Sequence, residues 1–258
     1  MRKLYKPKKN NKVMDVKKVL VSLDGEKVYI KDISQNYHCN DGFIKKEDLA
    51  KNGEKIYTSK NVEYTVFNAI FIDQFFKIKR NAAIMILKEI GVIIAYTGID
   101  KKSIVLDAGA GSGSLACFLA HIVKKVITYD IKEDHIKTVQ ENIRDLGIKN
   151  ITIKNQDITQ KVSEKNVDLV TLDLPNPSDA ITNANKALKV GGFIVSYSPN
   201  LTQIIKLKEK LKEFPGLIQE KTIEIMEREW EVDERRCRPK FGDIGHTGFL
   251  VFIRKIRD

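Results

Sequence analysis

Val105-Leu106-Asp107-Ala108-Gly109-Ala110-Gly111-Ser112-Gly113-Ser114-Leu115 is the stretch that decides how this 258-residue chain folds. The apolar run Ser103–Leu106 predicts a strand, Asp107–Gly113 a glycine-rich turn, and Ser114–Val123 a helix. A dinucleotide fingerprint spaces its glycines G-x-G-x-x-G and holds a pyrophosphate on the amides of a helix N-terminus. Here they stand at 109, 111 and 113, the third one residue early, which argues against a nicotinamide cofactor. Downstream the alternation continues. Val126–Tyr129 reads as a strand ending in Asp130, Asp134–Asp145 as a helix, and Ile151–Lys154 and Val167–Leu172 as strands. Asp179–Leu188 is a helix, Gly191-Gly192 turns into the strand Phe193–Tyr197, and Leu201–Glu213 is a further helix. Apolar strands separated by helices predict an α/β fold, a parallel sheet with helices on both faces. The tail offers two more strands, about Glu220–Arg228 and Thr247–Arg254, around a charged loop or interface.

Upstream of the loop the pattern is different. Val16–Ile33 reads as a hairpin, because Asp24-Gly25 stands between two β-rich runs and Asp-Gly is a strong hairpin signal. Gly42–Lys45 and Glu63–Phe67 are further short strands, and Glu89–Tyr96 is a helix leading into the α/β part. The expected domains are a flexible basic arm (1–12), a small β-rich domain (13–75) and the α/β domain (76–258). Net charge is +11, and residues 1–80 hold 18 Lys/Arg against 10 Asp/Glu, whereas 81–199 hold 14 against 13. A basic front end before a nearly neutral centre suggests a polyanion gripped by the N-terminal part. At 42% hydrophobic residues the chain is not disordered. No apolar run nears the ~20 residues of a membrane span, and no apolar stretch follows Met1-Arg2-Lys3 to make a signal peptide. Cys39, Cys117 and Cys237 form neither a disulfide scaffold nor a metal motif, so a cytoplasmic protein is expected. His38, His121 and His135 show no ligand spacing and read as solvated or core residues.

The D-x-G-x-G-x-G loop resembles the S-adenosylmethionine (AdoMet) site of class I methyltransferases, which implies a Rossmann-like sheet and AdoMet as cofactor. AdoMet has no phosphates; its methionine end is a zwitterion and its sulfur a cation. Small residues allow close backbone approach, so Asp107, Ala108, Gly109, Gly111, Ser112, Gly113, Ser114 and Leu115 are expected to surround it, with the Asp107 carboxylate toward the ammonium. Asp130 would accept hydrogen bonds from the ribose hydroxyls. Asp157 would take the adenine amino group, with Ile131 and Ile158 as apolar neighbours of the ring.

Asp173-Leu174-Pro175-Asn176-Pro177, then Gly191-Gly192-Phe193-Ile194-Val195-Ser196-Tyr197-Ser198-Pro199-Asn200 with Gln203, is similar to the tRNA (adenine-N1)-methyltransferase family acting on the T-loop. Arg238-Pro239 with His246-Thr247-Gly248-Phe249, and the lead-in Ala95-Tyr96-Thr97-Gly98-Ile99, match that family too. The resemblance implies methylation of adenine 58 of tRNA, leaves open whether 57 is a target too, and implies a homotetramer. Asp173 then carries catalysis beside the cofactor, Tyr197 stacks on or walls the base pocket, and Gln203, Arg238 and His246 are substrate-side candidates. The segment before the core departs from the pattern: where the family has Gln, a polar ring and Pro-Lys-Asp, this chain has Ala83-Ile84-Met85-Ile86-Leu87-Lys88-Glu89. Two alternatives stay open: a non-catalytic AdoMet-holding RNA-binding subunit, and a methyltransferase acting on a protein or small molecule.

Overall fold

The computed structural model describes residues 16–242 and 245–258; the basic arm read at 1–12 lies outside the described residues. Two compact units are present. The first ends at Ile78 and takes in Arg144–Gly147, and the second comprises Lys79–Ile143 and Ile148–Asp258.

In the first unit, β1 (Lys18–Ser22) and β2 (Lys27–Ile30) form the expected antiparallel hairpin. Its turn places Gly25 at φ +86°, a conformation that favours glycine. β3 (Tyr37–Cys39) and β4 (Gly42–Ile44) make a second small ribbon, followed by the short helix α1 (Lys46–Leu49). β5 (Glu54–Tyr57) and β6 (Glu63–Asn68) complete a four-stranded sheet of order β2-β1-β6-β5, and α2 (Phe71–Phe75) follows. Leu20, Ile30, Ile44, Leu49, Ile56, Tyr64 and Val66 form its core. The buried Lys18 ammonium donates to the Lys51 carbonyl at 2.5 Å, just past the end of α1.

The second unit begins with α3 (Leu87–Thr97) and then alternates. Its elements are β7 (Ile104–Ala108), α4 (Ser114–Ala120), β8 (Lys125–Asp130), α5 (Glu133–Asp145), β9 (Ile151–Asn155) and β10 (Val167–Leu172). α6 (Pro177–Ala187), β11 (Leu188–Ser198), α7 (Leu201–Leu211) and β12 (Leu217–Glu224) follow. β13 (Trp230–Val232), β14 (Cys237–Pro239) and β15 (Phe249–Lys255) end the chain. Seven strands form one sheet in the order β12-β15-β11-β10-β7-β8-β9.

The five strands β11 to β9 are parallel, but β15 pairs antiparallel with both β11 and β12. The sheet is therefore mixed rather than parallel throughout. A parallel neighbour needs a crossover connection, usually helical, and no helix lies between β12 and β15. From β7 the chain moves to β8 and β9 on one side, then returns to β10 and β11 on the other. That reversal opens a crevice beyond the carboxyl ends of β7 and β10, where open α/β sheets bind ligands. Leu106, Leu172, Ile194 and Val251 of the sheet pack with Ala180, Ile181 and Ala184 of α6 and Leu207 of α7.

The charged run between β12 and β15 contains a hairpin. β13 and β14 pair antiparallel, and Glu231 bridges Arg236 at 2.6 Å and Arg238 at 3.1 Å, with Lys240 on Glu229 at 2.5 Å. Opposite charges facing across the ribbon suit such pairing. Trp230, Val232, Met226 and Phe241 are exposed around it.

Candidate active site

β7 carries Asp107 into the middle of three neighbouring parallel strands. In register, Asp107 stands beside Thr128 of β8 and Thr171 of β10. Thr128 donates its hydroxyl to Asp107 Oδ2 and Thr171 to Oδ1, both at 2.7 Å. Burial pushes the Asp107 carboxyl above its ordinary value, the two hydroxyls oppose that rise, and Asp130 adds to it. Both oxygens expected to face an ammonium group are thus already gripped by threonines, which fix their direction.

The glycine loop is tied between the ends of β8 and β10. Gly109 and Ala110 donate their amides to the Tyr129 carbonyl at 3.0 and 3.1 Å, and Asp173 donates its amide to Ala108 at 2.9 Å. Gly109 has φ +91°, and a Cβ there would lie 2.0 Å from the Asp173 carbonyl oxygen. Only a residue without a side chain fits where the chain leaves β7 beside the end of β10. Gly113, at φ +77°, is the N-cap of α4.

Over the loop lies the segment Asn81–Met85. Ser112 Oγ accepts the amides of Asn81 and Ala82 at 2.8 and 3.1 Å, and Ser114 Oγ donates to the Met85 carbonyl at 3.0 Å. Asn142 of α5 fastens the start of this strap, accepting the Lys79 amide at 2.8 Å and donating to the Lys79 and Ser112 carbonyls at 2.9 and 2.8 Å. Between strap and loop is a cavity lined by Ala83, Ile84, Met85, Asp107, Gly109, Ala110, Gly111, Ser112, Ser114, Leu115 and Asp173. Its volume is about 20 Å³, room for roughly one water and far less than a ligand the size of AdoMet needs. Asp173 stands at the end of β10, and its carboxyl is held up to about 7 by burial first and the charge of Asp107 second.

Asp130, closing β8, accepts the Gly111 amide on Oδ2 at 2.9 Å and the Lys132 amide on Oδ1 at 2.9 Å. His135 Nδ1 meets Oδ2 at 3.0 Å. Ile131 is 66% exposed and presents an apolar face, whereas Ile158, at 2%, is packed into the sheet's core. Asp157 turns one carboxylate oxygen to the Thr159 amide at 2.8 Å.

The substrate-side candidates separate. Tyr197, on β11, donates its hydroxyl to the Thr247 carbonyl at 2.6 Å, and its ring lies so close to Gly248 that a Cβ there would approach within 2.6 Å. Burial raises its phenol above the ordinary value, with Glu89 and Asp173 contributing. Gln203 caps α7 by accepting the Asn200 amide at 3.1 Å, and donates to the Pro175 carbonyl at 2.8 Å, steadying the corner after Asp173. His246 Nδ1 pairs with Glu224, which raises the imidazole's pKa, and Nε2 meets the Pro199 carbonyl at 3.0 Å. Arg238 belongs to the β13–β14 hairpin, bound to Glu231 and lying 4.8 Å over the Phe241 ring; it does not line the cavity. Sequence reasoning missed Thr128, Thr171, Asn142 and His135. It also missed Glu89, 2% exposed, which accepts the Thr247 hydroxyl at 2.6 Å and leaves its second oxygen buried without a partner. Glu89 ends the segment that departs from the family's pattern, and the others lie in no short motif; they meet only through strand register and packing.

Residues 76–240 match the family described as tRNA methyltransferase complex GCD14 subunit. The chain belongs to that family. It is 33% identical to the tRNA (adenine(57)-N(1)/adenine(58)-N(1))-methyltransferase TrmI of Methanocaldococcus jannaschii, over 92% of this chain and 94% of that one. The tRNA (adenine(58)-N(1))-methyltransferase TrmI of Thermus thermophilus is 30% identical, covering 85% and 88% of the two chains. Among solved structures, one from Thermotoga maritima named as a SAM-dependent O-methyltransferase superposes with a TM-score of 0.83 at 27% identity, covering 96% and 97%. The tRNA (m1A58) methyltransferase TrmI of Aquifex aeolicus superposes at 0.78 with 23% identity, covering 96% and 100%, a likeness of fold. The GCD14-family chain therefore has the class I methyltransferase fold.

Proposed function

We propose that the protein transfers a methyl group from AdoMet to N1 of a T-loop adenine of tRNA, position 58 alone or together with 57. The observation that carries this reading is the Asp173 carboxyl beside the glycine loop, in a cavity lined by the apolar Ala83, Ile84, Met85 and Leu115 together with Asp107, Ser112 and Ser114. The residues suit the cofactor chemically: three acids at successive strand ends, a loop that a side chain would block at Gly109, and serine hydroxyls. When bound, AdoMet supplies an electrophilic methyl on a sulfonium sulfur. Asp107 would hold the ammonium of its methionine end, Asp130 its ribose, and Asp157 with Ile131 its adenine.

Adenine N1 carries its own lone pair, so no base is needed to create the nucleophile. Methylation leaves a cationic ring, and Asp173 accepts a hydrogen bond from the neighbouring N6 amino group, stabilising that charge while aligning N1. Because N1 lies on the pairing edge, the target base leaves its stack to enter the site. Tyr197 does not line the cavity between strap and loop; its ring packs on Gly248 and its hydroxyl is held by the Thr247 carbonyl, so it would meet the base only outside that cavity. The basic surplus of residues 1–80 supports a polyanionic substrate. Trp230, Val232 and Phe241, exposed on the β13–β14 hairpin, offer apolar surface that a homotetramer would bury; light scattering reads that state. A tRNA substrate places the protein in the cytoplasm, and no described helix is long and apolar enough to cross a membrane.

The test is incubation with methyl-labelled AdoMet and unmodified tRNA, followed by mass spectrometry of the digested nucleosides. 1-Methyladenosine is expected, and Asp173→Ala should abolish most of it while the cofactor still binds. Cofactor binding without product would mark a non-catalytic subunit. Label transferred only to a protein or small molecule would overturn the tRNA assignment.

A further inference from the structure

We propose that His135 is a positioning residue for the cofactor's ribose, directing one oxygen of Asp130 to the sugar by occupying the other; this rests on the AdoMet site assigned to the glycine loop. Asp130 is 8% exposed and ends the strand next to that loop. An ionised carboxylate offers about four acceptor positions. Oδ2 receives two donors, the Gly111 amide at 2.9 Å and His135 Nδ1 at 3.0 Å, whereas Oδ1 receives only the Lys132 amide at 2.9 Å. The acceptor position still open is therefore on Oδ1, and a ribose hydroxyl has a single address.

The three donors differ in kind. Gly111 and Lys132 contribute backbone amides, which any sequence in this fold supplies, while His135 contributes the one side chain. Since Asp130 only accepts, the hydrogen shared with His135 sits on Nδ1, which fixes the imidazole's orientation. The ring stands at the start of α5 with its side chain 14% exposed, so water has little access to replace it. Its neighbour Asp134 faces the other way in bonding, accepting from the Asn81 side chain at 3.1 Å. Removing the imidazole leaves Oδ2 open to a second hydroxyl or a water and loosens the carboxylate about its last torsion.

The experiment compares full-length wild type, His135→Phe and His135→Asn, titrated calorimetrically with S-adenosylhomocysteine and with its 2′-deoxyribose and 3′-deoxyribose analogues. Thermal unfolding of each protein accompanies the titrations. Wild type should prefer the intact diol over at least one deoxy analogue by about tenfold or more, the size of a hydrogen bond to a charged group. His135→Phe should shrink that preference to under about threefold. His135→Asn, whose amide donor can stand where Nδ1–H stood, should restore most of it. A histidine that merely packs would weaken all ligands by one common factor, and that result, an unchanged preference in His135→Phe, or no diol preference in wild type, overturns the proposal. Failure of wild type to bind any of the three instead removes the AdoMet site itself. If His135→Phe does not fold, His135→Ala takes its place, a preference under about threefold supporting the proposal and an unchanged one overturning it.

Discussion

Replacing Asp173 by Asn should make the protein more stable at alkaline pH while removing its activity. In the folded chain the carboxyl is held at about 7, against an ordinary value of 3.8. Between those two values the folded protein keeps a proton that the unfolded chain gives up, so stability falls as pH rises through the window and levels off above it. Each pH unit is worth about 1.4 kcal/mol, so the three-unit gap sets a ceiling of roughly 4 kcal/mol by pH 8. Asn has the shape of the protonated acid and never ionises, so it escapes this cost. Its advantage over Asp should grow by ~2–3 kcal/mol between pH 5 and pH 8. Urea unfolding of both proteins at the two pH values measures it, and methyl transfer to tRNA measures the loss of activity. A difference in stability that is the same at both pH values, or a variant less stable at pH 8, would refute the claim that Asp173 is held neutral by its surroundings.

Gly109→Ala should destabilise the chain by about 3 kcal/mol or more, because the added methyl would sit 2.0 Å from the Asp173 carbonyl oxygen at a backbone φ of +91°; an unaltered melting temperature would show that the turn after β7 lies less close to Asp173. S-Adenosylhomocysteine should change hydrogen exchange at the Asn81 and Ala82 amides, both bound to Ser112 Oγ, since about 20 Å³ of cavity cannot admit it with the strap in place. An exchange profile at those amides that ignores the ligand would sink the idea that the strap withdraws.

The parts legible in the sequence are those set by local chemistry. Asp24-Gly25 turns a hairpin because its backbone conformation is needed there, and the glycines at 109 and 113 mark positive φ. The strand-and-helix alternation from Ser103 onward follows from apolar runs whose lengths suit strands, and each corresponds to an element of the second unit. What the residues alone hid depends on partners distant in the chain. The antiparallel placement of β15 is a property of its neighbours, not of Phe249–Lys255 itself. The β13–β14 hairpin is written in charges, so a pattern search for alternating apolar residues passes over it. Thr128 and Thr171 become partners of Asp107 only once β8 and β10 flank β7 in register. His135 looks like a solvated helix residue until the end of β8 brings Asp130 beside it.

The apolar strap that departs from the family's pattern has an electrostatic consequence. Polar side chains are not needed to hold it down, because its own amides and the Met85 carbonyl bond to Ser112 and Ser114 of the loop. Its side chains are then free to be Ala83, Ile84 and Met85, which with Leu115 wall the cavity. Burial is the largest cause of the raised Asp173 carboxyl and Asp107 the second, so the strap acts on Asp173 by covering it. A like-charged pair in a dry cleft is unfavourable until a cation arrives between the carboxylates. On the proposed assignment, a sulfonium with an ammonium nearby would be such a cation, and its arrival would favour the ionised Asp173 that can stabilise the positive charge developing on the methylated adenine. The site thus suits a cationic donor better than its neutral, demethylated product, so the same charges that draw the donor in weaken the hold on what remains after transfer.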